Sequence, residues 1–441
     1  MNAIEPQRID WSSLSAEQQR QVLRRPAQEN SADVLQTTQV IINQVRTHGD
    51  AALREMTERF DGAKLQSLKV TDEEFAVAKT ALNTSQVNAL KRAISNVQRF
   101  HEAQLSAPIK VETSVGVVCE RHSRAIDSVG LYVPAGTAPL PSTAIMLAVP
   151  ASIAQCPTRI LCSPPRRDGS LDSAVLVAAK LCGIDQIYKL GGAQAIAAMA
   201  YGTTSVPKVD KIFGPGNRWV TAAKMLVAND ADGAALDMPA GPSEVLVIAD
   251  NHANAVFVAA DLLAQAEHSA DAQTILVTTS DQLIDAVLKQ LESQTAQLSR
   301  NETLMKALSH ARLILVDSLQ TAFRVSNRYA PEHLIVQVKD ARSWLPSIRN
   351  AGSVFLGEWT PETMGDYCSG TNHVLPTYGF ARAYSGLSLM DFMKRITVQE
   401  LSSDGLKDLG PTALTIADLE GLDAHANAVK VRLMSLQGAG Q

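Results

Sequence analysis

The chain has 441 residues, a length that suggests about two to three domains. Hydrophobic residues make up 46% of it and charged residues 19%, a balance typical of a folded protein with a large core. Its 40 basic and 45 acidic residues give a net charge of −5, which argues against nucleic acid and against a polybasic membrane anchor. The longest apolar stretch, 144–154, covers about half a bilayer and contains Pro150, so we expect no membrane partner.

The start of the chain and its cysteines indicate a cytoplasmic protein. Residues 1–11 are charged and lack an apolar run, so we expect no signal peptide. The five cysteines are odd in number and form no CxxC motif, which is typical of reduced thiols rather than of a disulfide framework.

The residues before position 100 are predicted to be mostly helical. Ser31 can cap a helix that runs toward Arg59 and is interrupted at 48–50. Thr71, followed by three acidic residues, can cap a second long helix toward Phe100.

From about residue 116 onward, short β-branched runs alternate with helical stretches. Strands alternating with helices of about 10–15 residues imply parallel sheets built from βαβ units, and two such series indicate two α/β domains. Parallel sheets bind ligands at the carboxyl ends of their strands, so motifs at strand-to-helix turns carry most weight. Near the end we expect a strand-like segment at 413–416 and one helix at 418–433. The expected strands are 128–133, 159–162, 186–190 and 211–213 in the first series, and 244–249, 274–278 and 312–316 in the second.

Gln265 and His268 are the first candidate ligands. The apolar positions between 255 and 266 follow helical spacing, which places these two side chains one turn apart on the opposite edge of a helix. An imidazole nitrogen and an amide oxygen could form half of a metal site. The alternative is a solvated helix end whose histidine interacts with the helix dipole.

Two further segments could carry chemistry. Glu332 and His333 lie where a helix ends and a strand at 334–338 begins. A carboxylate and an imidazole can divide acid–base roles there, although a structural pair is the equal alternative. The polar loop 365–373, which contains an aspartate and a histidine, could hold a metal or a polar ligand, or it could be a solvated connector.

The sequence lacks a standard Rossmann fingerprint. The segment 214–219 follows a strand and opens a helix, but Trp219 takes the place of the third glycine of GxGxxG, and Pro215 removes a backbone donor. The turn from Gly191 to Gln194 is a second candidate for contact with a phosphate or a ribose. Neither a P-loop motif nor HExxH occurs, which argues against a P-loop NTPase and a zincin protease.

Taken together, these segments closely resemble the histidinol dehydrogenase family, whose members are zinc enzymes that use NAD to complete histidine biosynthesis. The matching segments occur in family order from about residue 30 to the C-terminus. Two departures, Ala135 for a more frequent glycine and Trp219 for a frequent tyrosine, lie near the expected cofactor cleft. The matching segments are 129–134, 191–195, 213–217, 239–244, 261–268, 328–334, 365–376 and 384–392.

The resemblance implies a role for each matching residue. Glu332 and His333 would be the acid–base pair. One Zn2+ per subunit would be held by Gln265, His268, Asp366 and His425. L-Histidinol would be bound by these four ligands together with Ser243, His333, His373 and Glu420. NAD+ would be bound by Tyr132, Gln194 and Asn217.

The resemblance also implies two Rossmann-like parallel-sheet domains without the usual GxGxxG, a helical N-terminal region and a small C-terminal tail. We expect an N-terminal arm at 1–30, a first α/β domain at 31–131 and 244–385, a second at 132–243, and the tail at 386–441. In the family, the tail is exchanged between the subunits of a homodimer. Glu420 and His425 would then complete the partner's active site.

Two other functions stay open. One is a thiol-dependent aldehyde dehydrogenase with Cys368 as its nucleophile. The other is a zinc-binding relative without redox activity. The set of matching segments favours the NAD-dependent oxidation of L-histidinol to L-histidine through an enclosed L-histidinaldehyde.

Overall fold

The computed structural model of the chain describes residues 6–25, 31–135, 138–239 and 241–438. They form two compact units, one comprising Met1–Ala103 and Ile126–Phe392, the other comprising Gln104–Ala125 and Met393–Gln441. The first unit contains two parallel sheets, and the second contains an antiparallel sheet and a pair of helices. The prediction of an α/β fold with parallel sheets is confirmed.

Strands and helices alternate along most of the chain. The strands are β1 (Gln7–Asp10), β2 (Ile109–Ser114), β3 (Val117–Ala125), β4 (Ser128–Tyr132), β5 (Thr158–Ser163), β6 (Gln186–Lys189), β7 (Lys211–Phe213), β8 (Ala235–Leu236), β9 (Glu244–Ala249), β10 (Gln273–Thr278), β11 (Arg312–Leu315), β12 (His333–Gln337), β13 (Ser353–Leu356) and β14 (Met393–Leu401). The α-helices are α1 (Ala16–Val22), α2 (Ser31–His48), α3 (Asp50–Asp61), α4 (Asp72–Ala81), α5 (Thr84–Glu102), α6 (Pro141–Ile153), α7 (Ser173–Leu181), α8 (Gly192–Tyr201), α9 (Arg218–Ala228), α10 (Ala255–Ala266), α11 (Asp281–Thr295), α12 (Asn301–Leu308), α13 (Leu319–Tyr329), α14 (Glu362–Tyr367), α15 (Ser403–Glu420) and α16 (Asp423–Gly438).

Both parallel sheets have the strand order of a Rossmann fold. The larger sheet has the order β1-β11-β10-β9-β12-β13, and the smaller sheet has the order β6-β5-β4-β7-β8. Counted from β9 and from β4, both orders contain the succession 3-2-1-4-5. The direction of winding therefore reverses between β9 and β12 and again between β4 and β7, which gives each sheet a topological switch point.

The strands of the larger sheet are apolar without interruption because helices cover both of its faces. Along β9, Val245 and Val247 pack into one core with α10, α11 and α12, whereas Leu246 and Ile248 pack into a second core with α13. A strand buried on both faces shows a continuous apolar run instead of an alternating pattern. This is why the βαβ series can be seen in the sequence.

Three of the helices before residue 103 pack on helices that flank the smaller sheet: α2 on α8 and α9, α4 on α7, and α5 on α6. The expected break at 48–50 is confirmed, since Gly49 has a φ of 52° and separates α2 from α3. The single long helix expected from Thr71 to Phe100 is wrong. Asn83 begins a new helix there, because its side chain and that of Gln86 form a capping box.

The second unit corrects the prediction for the end of the chain. The segment 413–416, expected to be strand-like, lies inside α15, which Ser402 caps at its start. The single helix expected at 418–433 is two helices, because Gly421 has a φ of 69° and ends α15 in the left-handed conformation. The antiparallel sheet of this unit has the order β14-β3-β2 and was not predicted.

Residues 7–10, within the predicted N-terminal arm, form β1 and pair in parallel with β11 at the edge of the larger sheet. The predicted domain boundaries stay a prediction. Within the described ranges, no helix combines the length and the apolar character that crossing a bilayer requires.

Candidate functional site

The predicted acid–base pair lies at the amino end of β12. This strand pairs with β9, so that His333 is opposite Val245 and the first residues of both strands share one edge of the larger sheet. Helix α10 runs back along the sheet after β9 and brings its last turn toward the same edge. We predicted that functional residues would lie at the carboxyl ends of strands. For this pair the prediction is wrong, because Glu332 and His333 lie where the chain enters β12.

His333 is held in one tautomer by a backbone carbonyl. Its Nδ1 atom lies 3.1 Å from the carbonyl oxygen of Glu244. Since a carbonyl oxygen can only accept, Nδ1 carries a hydrogen, and Nε2 is the nitrogen that can gain or lose a proton. Nε2 is buried, has no hydrogen-bond partner among the described residues, and lies 3.6 Å from Oδ1 of Asp366. The imidazole thus turns Nε2, its titrating nitrogen, toward Asp366.

Glu332 is anchored by the same strand entrance. Its Oε2 atom accepts a hydrogen bond of 2.8 Å from the backbone N–H of Glu244 and lies 3.7 Å from Nδ1 of His333. Burial raises the pKa of Glu332 to about 8. Glu332 can therefore exist in either protonation state near neutral pH, as a residue that passes protons to and from a water must.

The carboxylates around His333 determine the direction in which the pKa of its imidazole shifts. Burial alone would lower the pKa of this imidazole, but the carboxylates of Glu362 and Glu332 outweigh burial and raise the pKa of His333 well above its usual value. Burial also raises the pKa of Glu362 to about 8. With Asp366, three carboxyl groups surround one imidazole. The cluster thus favours the binding of a cation.

The sequence analysis did not single out Glu362, whose Oε1 atom lies 3.7 Å from Nδ1 of His333. Its side chain is buried, and its Oε2 atom has no hydrogen-bond partner among the described residues. One signal in the sequence could have identified it. Glu362 precedes Asp366 by four residues, so on a helix the two carboxylates share one face.

The candidate metal ligands combine nitrogen and oxygen donors. One ligand atom each from His268, Glu362 and Asp366 lie within 4.8 Å of one another. Gln265, one helical turn before His268, is fully buried, and neither its oxygen nor its nitrogen has a hydrogen-bond partner in the described part of the chain. A buried polar atom without a partner costs about 1–3 kcal/mol, so these atoms indicate a bound group. Imidazole, carboxylate and amide donors fit Zn2+.

The predicted substrate contacts fall into two groups. Nδ1 of His373 lies 2.8 Å from the carbonyl oxygen of Asp366, and Ser243 directly precedes Glu244 at the start of β9, so both are near the acid–base pair. Glu420 and His425 belong to the second unit, where α15 ends and α16 begins, and both are exposed there. Their part in the site stays a prediction.

The predicted cofactor residues lie at the carboxyl edge of the smaller sheet. Tyr132 ends β4, and its hydroxyl accepts a hydrogen bond of 3.0 Å from the backbone N–H of Gly192, at the start of α8. Gln194 is buried in the first turn of α8, and the side chain of Asn217 caps α9. These turns flank the switch point between β4 and β7, where doubly wound sheets bind nucleotides.

Gly214 allows the turn after β7 to approach β4. Its φ is 123°, and a Cβ atom added to it would collide with the backbone oxygen of Tyr132. The first amides of α9 are occupied by Asn217, whereas the residue that precedes α8, Gly191, has no side chain to cap that helix, and the Tyr132 hydroxyl binds the N–H of Gly192. A helix start whose N-cap residue lacks a side chain, beside a switch point, fits the diphosphate of NAD+.

Two parallel sheets with Rossmann strand order, a buried Glu–His pair, a group of residues that could hold a metal ion and a switch point of the dinucleotide-binding type fit the class of metal-dependent oxidoreductases. Comparisons with known proteins agree. The family profile described as histidinol dehydrogenase matches residues 23–433. The histidinol dehydrogenase of Vibrio vulnificus (strain CMCP6) is 56% identical over 436 residues, 98% of this chain and 99% of the relative. That of Xanthomonas oryzae pv. oryzae is 56% identical over 425 residues, 96% of this chain and 98% of the relative.

A solved structure extends the match to the fold. The crystal structure of histidinol dehydrogenase from Elizabethkingia anophelis superimposes with a TM-score of 0.93 at 44% identity and covers 98% of this chain and 99% of that one. The chain therefore belongs to the histidinol dehydrogenase family, as its sequence segments predict. It is an oxidoreductase.

Proposed function

We propose that this chain oxidises L-histidinol to L-histidine, the last step of histidine biosynthesis, in one site and in two rounds. Each round transfers one hydride to NAD+, and one water is added to the intermediate L-histidinaldehyde between them. The observation that carries the proposal is the buried Nε2 of His333, which has no hydrogen-bond partner among the described residues and lies 3.6 Å from Oδ1 of Asp366, one of three residues that could hold a metal ion.

His333 would remove the hydroxyl proton of the substrate as hydride leaves the adjacent carbon. The carbonyl of Glu244 keeps the hydrogen on Nδ1, so the proton is accepted at Nε2. Glu332 would then take a proton from the water that attacks the aldehyde, and His333 would act again on the resulting hydrate. General bases of this kind contribute about 10²–10⁴-fold to the rate.

Gln265, His268 and Asp366 would hold the zinc, together with His425. The bound zinc supplies a positive charge that orients the amine and imidazole nitrogens of the substrate. A cation beside Asp366 also offsets the carboxylates that raise the pKa of His333, which returns this residue toward the neutral form that a base requires. Ser243, His373 and Glu420 would contact the substrate, and Tyr132, Gln194 and Asn217 would hold NAD+.

The site would be shared between two copies of the chain, with Glu420 and His425 supplied by the partner. The apolar surface of α15 and α16 supports a homodimer, because large hydrophobic side chains are exposed there that a second copy could cover. They include Ile416, Leu419, Leu422, Val431 and Met434. The five thiols, all of them in described segments and all free of disulfides, support a reducing compartment such as the cytoplasm.

A mixing experiment tests the shared site. The variants His333→Asn and His425→Ala are each inactive as homodimers, whereas a mixed dimer contains one site with both residues intact if His425 acts in trans. Random mixing would restore about a quarter of the wild-type activity. If both variants are inactive alone and the mixture stays inactive after subunit exchange is verified, His425 acts in cis.

The activity itself is tested by counting NADH per L-histidinol consumed, before and after zinc is removed with a chelator and restored. Two NADH per substrate, dependent on zinc, would support the proposal. One NADH would mean that the aldehyde is released and would remove the role of Glu332. No NADH would indicate a metal-binding relative without redox activity. In His333→Asn we expect a loss of about 10²–10⁴-fold in kcat with zinc retained.

A further inference from the structure

The segment 366–373 is attached to helix α6 at two points. It begins with Asp366, near the end of α14, and it ends with Asn372 and His373, whose side chains both form hydrogen bonds with α6. Residues 142–151 of α6 are buried, so this helix is a close-packed and rigid support. The segment that carries a predicted zinc ligand is therefore held by a helix that contributes no predicted site residue.

A proline inside α6 prepares the first attachment point. Pro150 has no N–H, so the carbonyl of Met146, four residues earlier, lacks the donor that an α-helix normally supplies. The side-chain amide of Asn372 donates a hydrogen bond of 2.8 Å to this carbonyl. Oδ1 of Asn372 accepts a hydrogen bond of 3.0 Å from the N–H of Val374, which fixes the orientation of the amide.

Thr143, one turn before Met146, provides the second attachment point. Its side chain is 1% exposed, and its hydroxyl oxygen lies 3.2 Å from Nε2 of His373. Nδ1 of His373 lies 2.8 Å from the carbonyl oxygen of Asp366, which can only accept, so Nδ1 carries a hydrogen. In the neutral imidazole, the hydroxyl of Thr143 therefore donates to Nε2. Two hydrogen bonds in series thus connect Thr143 with the backbone of Asp366.

The position of Asp366 depends on contacts of this kind. Its helix, α14, has only 6 residues and no side-chain cap at its start. A helix this short is not stable by itself, so its surroundings determine where it lies. Oδ1 of Asp366 is 3.6 Å from Nε2 of His333, and one ligand atom each of Asp366, His268 and Glu362 lie within 4.8 Å of one another. A displacement of Asp366 would disturb this whole group.

We infer that Thr143 is a positioning residue of the proposed reaction. Through the imidazole of His373, its hydroxyl holds the backbone of Asp366 and keeps the Asp366 carboxylate where zinc and His333 require it. The inference rests on the proposed function, which makes Asp366 a zinc ligand. Groups that orient a metal ligand typically change metal affinity about 10–100-fold when they are removed.

The test is the affinity of the full chain for Zn2+, measured by competition with a chromophoric chelator. Thr143→Val removes the hydroxyl and keeps the shape of the side chain, and we expect it to raise the Kd of Zn2+ about 10-fold. Thr143→Ser, which keeps the hydroxyl, should stay within about 3-fold of the wild type. The matched control is Thr38→Val, because Thr38 is buried in α2 and its hydroxyl has no hydrogen-bond partner among the described residues. This control should stay within about 2-fold.

A double variant shows whether Thr143 acts through His373. In a His373→Asn background, Thr143→Val should change the Kd of Zn2+ by less than about 2-fold, because the imidazole that connects Thr143 with Asp366 is already absent. Melting curves of the metal-free proteins verify that each variant is folded at the assay temperature. If Thr143→Val is not folded, Thr143→Ala replaces it with the same expected effect.

Three results would overturn the inference. They are an unchanged Kd in Thr143→Val, an equal loss in Thr143→Ser, and the same effect of Thr143→Val with and without His373. A wild type that binds no Zn2+ would overturn the inference together with the proposed zinc site. A wild type that binds Zn2+ but forms no NADH from L-histidinol would refute the proposed activity alone.

Discussion

Arg25 links the N-terminal segment to the acid–base pair through a buried ion pair. Its guanidinium contacts the carboxylate of Glu244, with Nη2 2.7 Å from Oε2, and Nη2 also donates to the carbonyl oxygen of Tyr329 at 3.0 Å. The Glu244 side chain is fully buried. The guanidinium carbon lies 3.9 Å from the centre of the Tyr329 ring. Replacing Arg25 by Met therefore leaves a buried carboxylate without its counter-ion.

Removing one partner of such a pair costs about 3–5 kcal/mol, because the remaining charge keeps its desolvation penalty. The entropy of unfolding near Tm is about 2.1 cal/mol/K per residue, which gives about 0.9 kcal/mol/K for 441 residues that unfold together. We therefore expect Arg25→Met to lower Tm by about 3–5 °C. The double variant Arg25→Met, Glu244→Gln should recover at least half of this loss, because its neutral amide can still accept from Tyr378.

Calorimetric melting curves and steady-state kinetics of the same samples would measure both effects. Because Glu244 also holds Glu332 and His333, kcat of Arg25→Met should fall by up to about 10²-fold with zinc retained. Arg20→Met, which removes an exposed pair with Glu17, is the control and should shift Tm by less than about 1 °C. The reasoning is refuted if Arg25→Met melts like this control, or if the double variant is as unstable as the single one.

Three other changes probe the chain at separate places. Burial raises the pKa of Asp61 to about 6, so the free energy of unfolding of the wild type falls as pH rises from about 4 to 6. In urea unfolding at pH 7.5, Asp61→Asn should therefore be more stable than the wild type by about 1–2 kcal/mol. Near pH 4 the two should be equally stable. Zinc at about 100 times its Kd should raise Tm by about 3 °C in the wild type and in the surface control His310→Leu, but not in His268→Leu. Cys368→Ala should keep kcat within about 2-fold if water, as proposed, and not a thiol attacks the aldehyde. A larger loss would support the aldehyde dehydrogenase alternative.

The architecture was predictable wherever burial leaves a periodic trace. Strands covered by helices on both faces, such as β9 and β10, are continuous apolar runs in the sequence. The separation of α2 from α3 was also predictable, because Gly49 is a local signal. In contrast, β1 has only 4 residues, and its pairing with β11 depends on a partner about 300 positions away, for which no local pattern exists.

The C-terminal unit shows how local propensity can mislead. The segment 413–416 contains a threonine and an isoleucine, which favour strands, but it lies in the middle of an 18-residue helix. The cap at Ser402 and the packing of α15 on α16 decide the conformation there. The exposed positions of Glu420 and His425 follow from the same elements, and their local pattern alone indicates only a surface.

The sequence indicated candidate residues for the site but not where in the fold they lie. Gln265 and His268 follow from helical spacing, and Glu332 and His333 from their adjacency. Glu362 was not predicted, because its one signal in the sequence, the spacing of four residues before Asp366, is also common among exposed helical carboxylates. Only the structure shows that it is buried 3.7 Å from His333.

A Rossmann sheet binds ligands at its carboxyl edge, but the predicted acid–base pair lies at the amino edge of the larger sheet. The short connection between β8 and β9 explains this position. β8 is the last strand of the smaller sheet, and the chain leaves its carboxyl end at Leu236. Only residues 237–243 separate this point from Glu244, the first residue of β9, a span of at most about 29 Å. A short connection of this kind brings the carboxyl edge of one sheet to the amino edge of the next. The cofactor can therefore bind as the smaller sheet dictates, while the larger sheet presents His333 and Glu332 where its own strands begin.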